Sequence, residues 1–214
     1  MKLYTVQVAP NPTKVELYIE EMRAQGVDLD IERVTVKLMQ GEQNQDAHLA
    51  RSSFGTLPVL ELSNGAYITE SLPIIEYLEE IIQTSYRAKS MWGGDSLERA
   101  CNRDLERIAD TRILVQIARY VHATSSPIGL PVNKELAAAA FEQIPRGLAF
   151  FDDLLTDGRQ FLAGDHPTVA DCTMAAALQF ARYGQYKIGS HFHRLLAWDQ
   201  TFRARLSCQK VLLM

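Results

Sequence analysis

The chain has 214 residues, 47% of them hydrophobic and 22% charged, which gives room for one large core or two small ones in an ordinary globular protein. Its net charge of -4 leaves no basic excess for nucleic acid or an anionic membrane surface, and no apolar run approaches the roughly 20 residues that span a bilayer. The opening Met-Lys-Leu-Tyr enters a strand pattern without the layout of a signal peptide, so the expected location is cytoplasmic.

Lys2 to Val8 alternates as a first strand, and Ala9-Pro10-Asn11-Pro12 breaks it. Asn11 before Pro12 reads as the cap and first turn of a helix carrying Val15, Tyr18, Ile19 and Met22, which ends at Gly26. Ile31 to Val36 reads as a second strand, parallel to the first through a right-handed crossover. Lys37 to Arg51 is polar with little periodicity and reads as a loop with a short helix near Asp46 to Ala50. Val59 to Leu62 and Ala66 to Thr69 form a hairpin closed by Asn64-Gly65. Pro58 opens the first of these strands, where a central strand accepts no proline in its interior. A cis Leu57–Pro58 bond there would leave the Leu57 backbone free to pair with an extended ligand. Ser71 reads as the cap of a helix over Leu72 to Ile82, so Glu70-Ser71 lies where backbone N–H groups and the helix dipole favour an anion.

Gly55-Thr56-Leu57-Pro58-Val59-Leu60 followed by Ile68-Thr69-Glu70-Ser71 resembles the glutathione-binding half of the glutathione S-transferase family, of bacterial type. The resemblance implies a thioredoxin-like α/β domain with a mixed four-stranded sheet over residues 1–82, a linker over 83–94, and an all-α domain over 95–214. It also implies that Pro58 is cis, that Leu57 pairs with the cysteinyl backbone of glutathione, and that Glu70 and Ser71 hold its γ-glutamyl end. A homodimer is the expected assembly.

The remaining chain is helical. Leu97, Cys101, Leu105, Ile108, Ile113, Leu114 and Ile117 mark a long helix from Asp95 to about His122, and Ser125 to Pro131 forms a loop. Asn133 caps a second helix with Leu136, Ala140, Ile144, Leu148, Phe151 and Leu155 inward and Pro145 inside it. Thr168-x-x-Asp171 is a capping box that also resembles the helix start of the family's C-terminal domain, and a last helix carries Leu195, Leu196, Trp198 and Phe202.

Glutathione chemistry needs a thiolate, which a protein stabilises by aiming donors and a helix start at the sulfur. In several classes of the family the catalytic Ser, Thr or Cys stands where this chain has Ala9, so neither hydroxyl activation nor cysteine chemistry is available at that position. Asn11 is the candidate catalytic residue. Its amide can donate to sulfur, and its position matches the asparagine of the Thr-Pro-Asn run in the bacterial nu class. Gln43 is a candidate for the glycyl carboxylate and Thr56 a candidate hydroxyl. Arg112, Gln116, Arg119 and Tyr120 are acceptor-site candidates on the long helix, the two arginines being seven residues apart and so on one face. Three widely spaced cysteines and five histidines without ligand spacing give no disulfide framework and no metal site.

The expected activity is therefore attack of glutathione thiolate, as cosubstrate, on a small electrophile. The rivals are nu-like disulfide reduction or peroxidase action on a disulfide or peroxide acceptor, and a non-catalytic glutathione-binding or regulatory role.

Overall fold

The computed structural model describes residues 1–213. β1 (Lys2–Thr5), β2 (Glu32–Thr35), β3 (Val59–Glu61) and β4 (Tyr67–Ile68) form one sheet in the order β2-β1-β3-β4. β1 pairs parallel to β2, with Leu3 opposite Arg33, and antiparallel to β3, with Leu3 opposite Leu60. α1 (Pro10–Ala24) and α3 (Ser71–Ser85) pack together, and the short α2 (Asp46–Leu49) lies in the connection before β3. Strand alternation splits the sheet's side chains. Leu3 and Leu60 join Val15, Tyr18, Ile74 and Leu78 in the main core, while Tyr4 and Val59 face a smaller cluster with Val36.

The order of strands and helices and the parallel pairing agree with the sequence reading, and several boundaries move. β1 stops at Thr5 because Val8 has φ 71°, outside any strand conformation. The hairpin loop is three residues, Ser63-Asn64-Gly65, closed by Gly65 N–H donating to the Leu62 carbonyl; Gly65 takes φ 84°, which the turn requires. α1 begins one residue before Asn11, which is its second residue and not its cap, and the cap position is Ala9. Likewise Ser71 is the first residue of α3, with Glu70 in the cap position making no side-chain cap bond.

The C-terminal domain is all helix: α4 (Ser96–Ile108), a π-helical segment (Ala109–Leu114), α5 (Val115–Ser125), α6 (Lys134–Leu154), α7 (Val169–Tyr183), α8 (His193–Arg203) and α9 (Leu206–Gln209). The expected long helix is thus present but interrupted by the wider π turn. Its first apolar residues point outward: Leu97 is 72% exposed and Cys101 is exposed, while Asn102 and Glu106 are buried. α6 runs unbroken through Pro145, with Asn133 Oδ1 accepting from Leu136 N–H, and Leu136 lies at the surface.

α1 is sandwiched between the sheet and the helical domain, and its polar side chains reach both. The fully buried Lys14 ammonium lies 3.1 Å from Glu106 and 3.3 Å from Asp110, and the Thr173 hydroxyl donates to Glu106 at 2.8 Å. Tyr18 donates its hydroxyl to Glu79 on α3. Glu21 accepts two bonds from Arg205, at 2.9 and 2.6 Å, and one from the Ser207 hydroxyl.

The capping box at α7 forms, and Asp171 does more than close it. Its carboxylate accepts from the backbone of Thr168 and Leu162, the Thr168 hydroxyl and the Trp198 indole. Burial pushes the Asp171 pKa up to about 6, against donors that pull it down. The folded value lies above the unfolded one of about 3.9. The folded state therefore holds this proton more tightly, and the resulting stabilisation is complete below about pH 4 and lost as pH rises through about 6. Denaturation midpoints of the wild type and Asp171→Asn between pH 4 and 7 check this. The wild-type advantage should shrink as pH rises; growth would mean that the donors outweigh burial.

Candidate functional site

Two helix starts and one loop meet at the C-terminal ends of β1 and β4, beside the N-terminal end of the antiparallel β3. α1 opens Pro10-Asn11-Pro12, and a proline has no N–H. The Thr13 amide is already used on the Ala9 carbonyl. Asn11 therefore supplies the one free backbone donor of this first turn. Its side chain is oriented from α3: the buried Ser71 hydroxyl lies 3.4 Å from Asn11 Oδ1 and donates to it, leaving Nδ2 without a partner among the described residues. The oxygen assigned to a cap bond thus serves Ser71, and the nitrogen remains available. Val8, a β-branched residue held at positive φ, immediately precedes Ala9, a conformation that costs about 1–3 kcal/mol and is typical of loops shaped for a ligand.

At the start of α3, Pro73 is the third residue and Ile74 N–H bonds the Glu70 carbonyl, so Ser71 and Leu72 carry the free amides. The exposed Glu70 has no cation partner among the described residues. A carboxylate can sit on the Ser71 and Leu72 amides, the Ser71 hydroxyl proton being committed to Asn11, while Glu70 takes an ammonium. That pairing fits an amino-acid end.

The loop before β3 supplies an extended edge. The Leu57–Pro58 peptide is cis, as expected, and the half-buried Leu57 uses neither its N–H nor its C=O among the described residues. Thr56 is held on all sides: its amide donates to Ser52 Oγ, its hydroxyl pairs with that same oxygen at 3.0 Å, and its carbonyl accepts from His48 Nε2 at 3.0 Å. The Thr56 hydroxyl is thereby engaged within the loop. Gln43 lies nearby and is buried, its Oε1 without a partner. Gly55 takes φ 62°, and a β-carbon there would lie 2.9 Å from the Gln43 carbonyl, so only glycine fits between the two segments.

The four acceptor-site candidates separate. Arg112 and Gln116 line a cavity of about 320 Å³ between the long helix and α6, and no residue of the sheet domain contributes to it. Tyr120 packs instead on Phe141 and Tyr186, at ring-centroid distances of 6.0 and 5.2 Å, and the exposed Arg119 lies in neither group. The sequence reading missed His48, which sets the Thr56 carbonyl, and Lys14, which ties α1 to the helical domain. A buried histidine eight residues before the loop it supports has no local pattern to announce it.

Burial pushes the Cys208 thiol up to about 12 and Cys172 well above the ordinary range, so neither supplies a thiolate near neutrality. A disulfide reagent should modify one thiol per native chain, the exposed Cys101, and the other two only after unfolding, as absorbance of the released thiol would record; fast modification of a second would contradict the burial seen here. Among the described residues no group of three or more His, Cys, Asp or Glu is arranged to hold a metal ion, and no helix is long and apolar enough to cross a membrane.

Residues 3–85 match the N-terminal domain and residues 134–206 the C-terminal domain of glutathione S-transferase. The chain is 28% identical to glutathione S-transferase 2 of Saccharomyces cerevisiae over 99% of this chain and 89% of that protein. It is 27% identical to maleylacetoacetate isomerase of Pseudomonas aeruginosa, over 86% of this chain and 83% of that one. The solved structure of a glutathione S-transferase domain-containing protein from Marinobacter aquaeolei superposes with a TM-score of 0.86 at 30% identity, covering 97% of this chain and 100% of the other.

Proposed function

Because the chain belongs to the glutathione S-transferase family, we propose that it binds glutathione between α1 and α3 and transfers its thiolate to a small electrophilic acceptor, with Asn11 as the residue that stabilises the sulfur anion. The observation that carries this reading is the Ser71–Asn11 contact, which engages the Asn11 amide oxygen and leaves its nitrogen free at a helix start whose neighbouring prolines have no N–H. Glu70, Ser71 and the Leu72 amide take the γ-glutamyl end, and Leu57 pairs with the cysteinyl backbone ahead of Pro58. Gln43 and Thr56 border the glycyl end, and Ala9 lies beneath the sulfur. Residues 1–82 form the binding domain, 83–94 the linker and 95–214 the helical domain, assembled as a cytoplasmic homodimer. Chemistry comes from the cosubstrate, while the protein supplies position and field.

Titration of the thiolate absorbance of bound glutathione tests the proposal. The bound thiol should ionise below its free value, about 8.5–9. Binding with an unmoved pKa and no turnover of a model electrophile would instead favour the binding-only role that Ala9 permits.

A further inference from the structure

We propose that His48 is a positioning residue for the cosubstrate: it fixes the plane of the Thr56–Leu57 peptide and so aims the Leu57 N–H at the ligand, a role that rests on the glutathione reading above. His48 stands on α2 and is 1% exposed. Its ring makes a single hydrogen bond among the described residues, from Nε2 to the Thr56 carbonyl at 3.0 Å. A carbonyl only accepts, so the ring proton is on Nε2, and Nδ1 is buried without a partner among the described residues. An apolar side chain of similar bulk would fill this space without enclosing two ring nitrogens, one of them unpaired. Packing alone does not account for a histidine here, whereas the bond to Thr56 does.

The Thr56 carbonyl and the Leu57 N–H belong to one peptide unit. That unit is trans, the cis bond being the next one along, so its C=O and N–H lie antiparallel in one plane. The carbonyl points to the buried ring of His48. The Leu57 N–H therefore points the opposite way, out of the loop's interior, where it has no partner among the described residues. Thr56 itself is exposed, yet its three polar groups all turn inward, Ser52 Oγ taking its N–H and its hydroxyl. Ser52 N–H donates in turn to the His48 carbonyl at 2.9 Å, which closes a ring of bonds around Thr56. Ser52 thus holds the peptide unit before the Thr56 α-carbon and His48 the unit after it. Only the second carries the Leu57 donor. Without the Nε2 donor that unit is free to rotate, and ligand binding bears the cost of ordering it.

Calorimetry with S-methylglutathione on the full chain, together with turnover of a model electrophile at varied glutathione, compares the wild type with His48→Leu, His48→Asn and His48→Gln. The amide nitrogen of glutamine reaches the place of Nε2, while that of asparagine stops near Nδ1. His48→Leu and His48→Asn should weaken S-methylglutathione binding about 10-fold and raise KM for glutathione to match, with His48→Gln within about 3-fold of the wild type. In all three, kcat at saturating glutathione and the pKa of the bound thiol should stay as in the wild type, the reverse of what loss of a thiolate donor does. Asparagine and glutamine bury the same amide, so their comparison stands even where the leucine variant fails to fold, and melting curves of the two control for stability. The proposal is overturned by asparagine and glutamine variants that bind alike, by a leucine variant that binds as the wild type does, or by a fall in kcat at unchanged KM. A wild type that does not bind S-methylglutathione defeats the glutathione reading and this role with it. Binding indifferent to residue 48 defeats this role alone.

Discussion

Replacing Asn11 by alanine is expected to lower kcat/KM for glutathione-dependent turnover by about 100-fold near pH 6.5, the scale of losing one donor aimed at a developing or resident anion. The variant retains the backbone amide and the helix start but loses the side-chain nitrogen that Ser71 orients. Since the effect acts through thiolate population, the gap between wild type and variant should close as pH rises past about 9, where glutathione ionises unaided. Affinity for S-methylglutathione, which has no thiol, should change by less than about 3-fold, because the contacts proposed for it lie at Leu57, Glu70 and Ser71. Pre-steady-state rates across pH 6 to 10 provide the check. A rate deficit that persists undiminished at high pH would assign Asn11 to positioning the cosubstrate, and an unchanged rate would remove it from catalysis.

The second large effect concerns stability. Lys14→Met should cost about 3–5 kcal/mol, because Glu106 would remain fully buried with the Thr173 hydroxyl and no cation. Asp110 retains Arg107 at 3.0 Å and suffers less. The double variant Lys14→Met, Glu106→Gln should recover much of the loss, since removing both charges avoids the uncompensated one. Denaturant midpoints of the three proteins decide it. If the double variant is as unstable as the single, packing of the lysine stem rather than charge explains the cost. Because the pair joins α1 to α4, the single variant should also loosen the helix that carries Asn11, which hydrogen exchange along residues 10–16 would register.

What could be read in the residues was what local chemistry determines. Pro58 before an apolar run, Asn64-Gly65 between two short strands, Thr168 with Asp171, and Gly26 after α1 each act within a few neighbours, and each recurs in the structure. The cap assignments at Asn11 and Ser71 slipped by one or two positions for a common reason. Prolines are tolerated throughout a helix's first turn, where N–H groups are unpaired anyway, so Pro12 and Pro73 do not mark the first helical residue. The buried charges were hidden for a different reason. A helix covered on both sides has no single apolar face, and the partners of Lys14 and Glu21 lie 92 to 186 residues away. Spacing shows which side chains share a face and says nothing about what that face meets.

The clasp of Glu21 by Arg205 and Ser207 has a consequence for how the chain is made. The two ends of the Glu21–Arg205 pair are 184 residues apart, so at the usual pace of translation the arginine is added roughly 10–40 s after the glutamate. Throughout that interval the nascent α1 carries a carboxylate destined for the interior with no cation to meet it. α1, made ahead of the other helices described here, is thus among the last to be finished, and the sheet domain waits on a residue added 184 positions later.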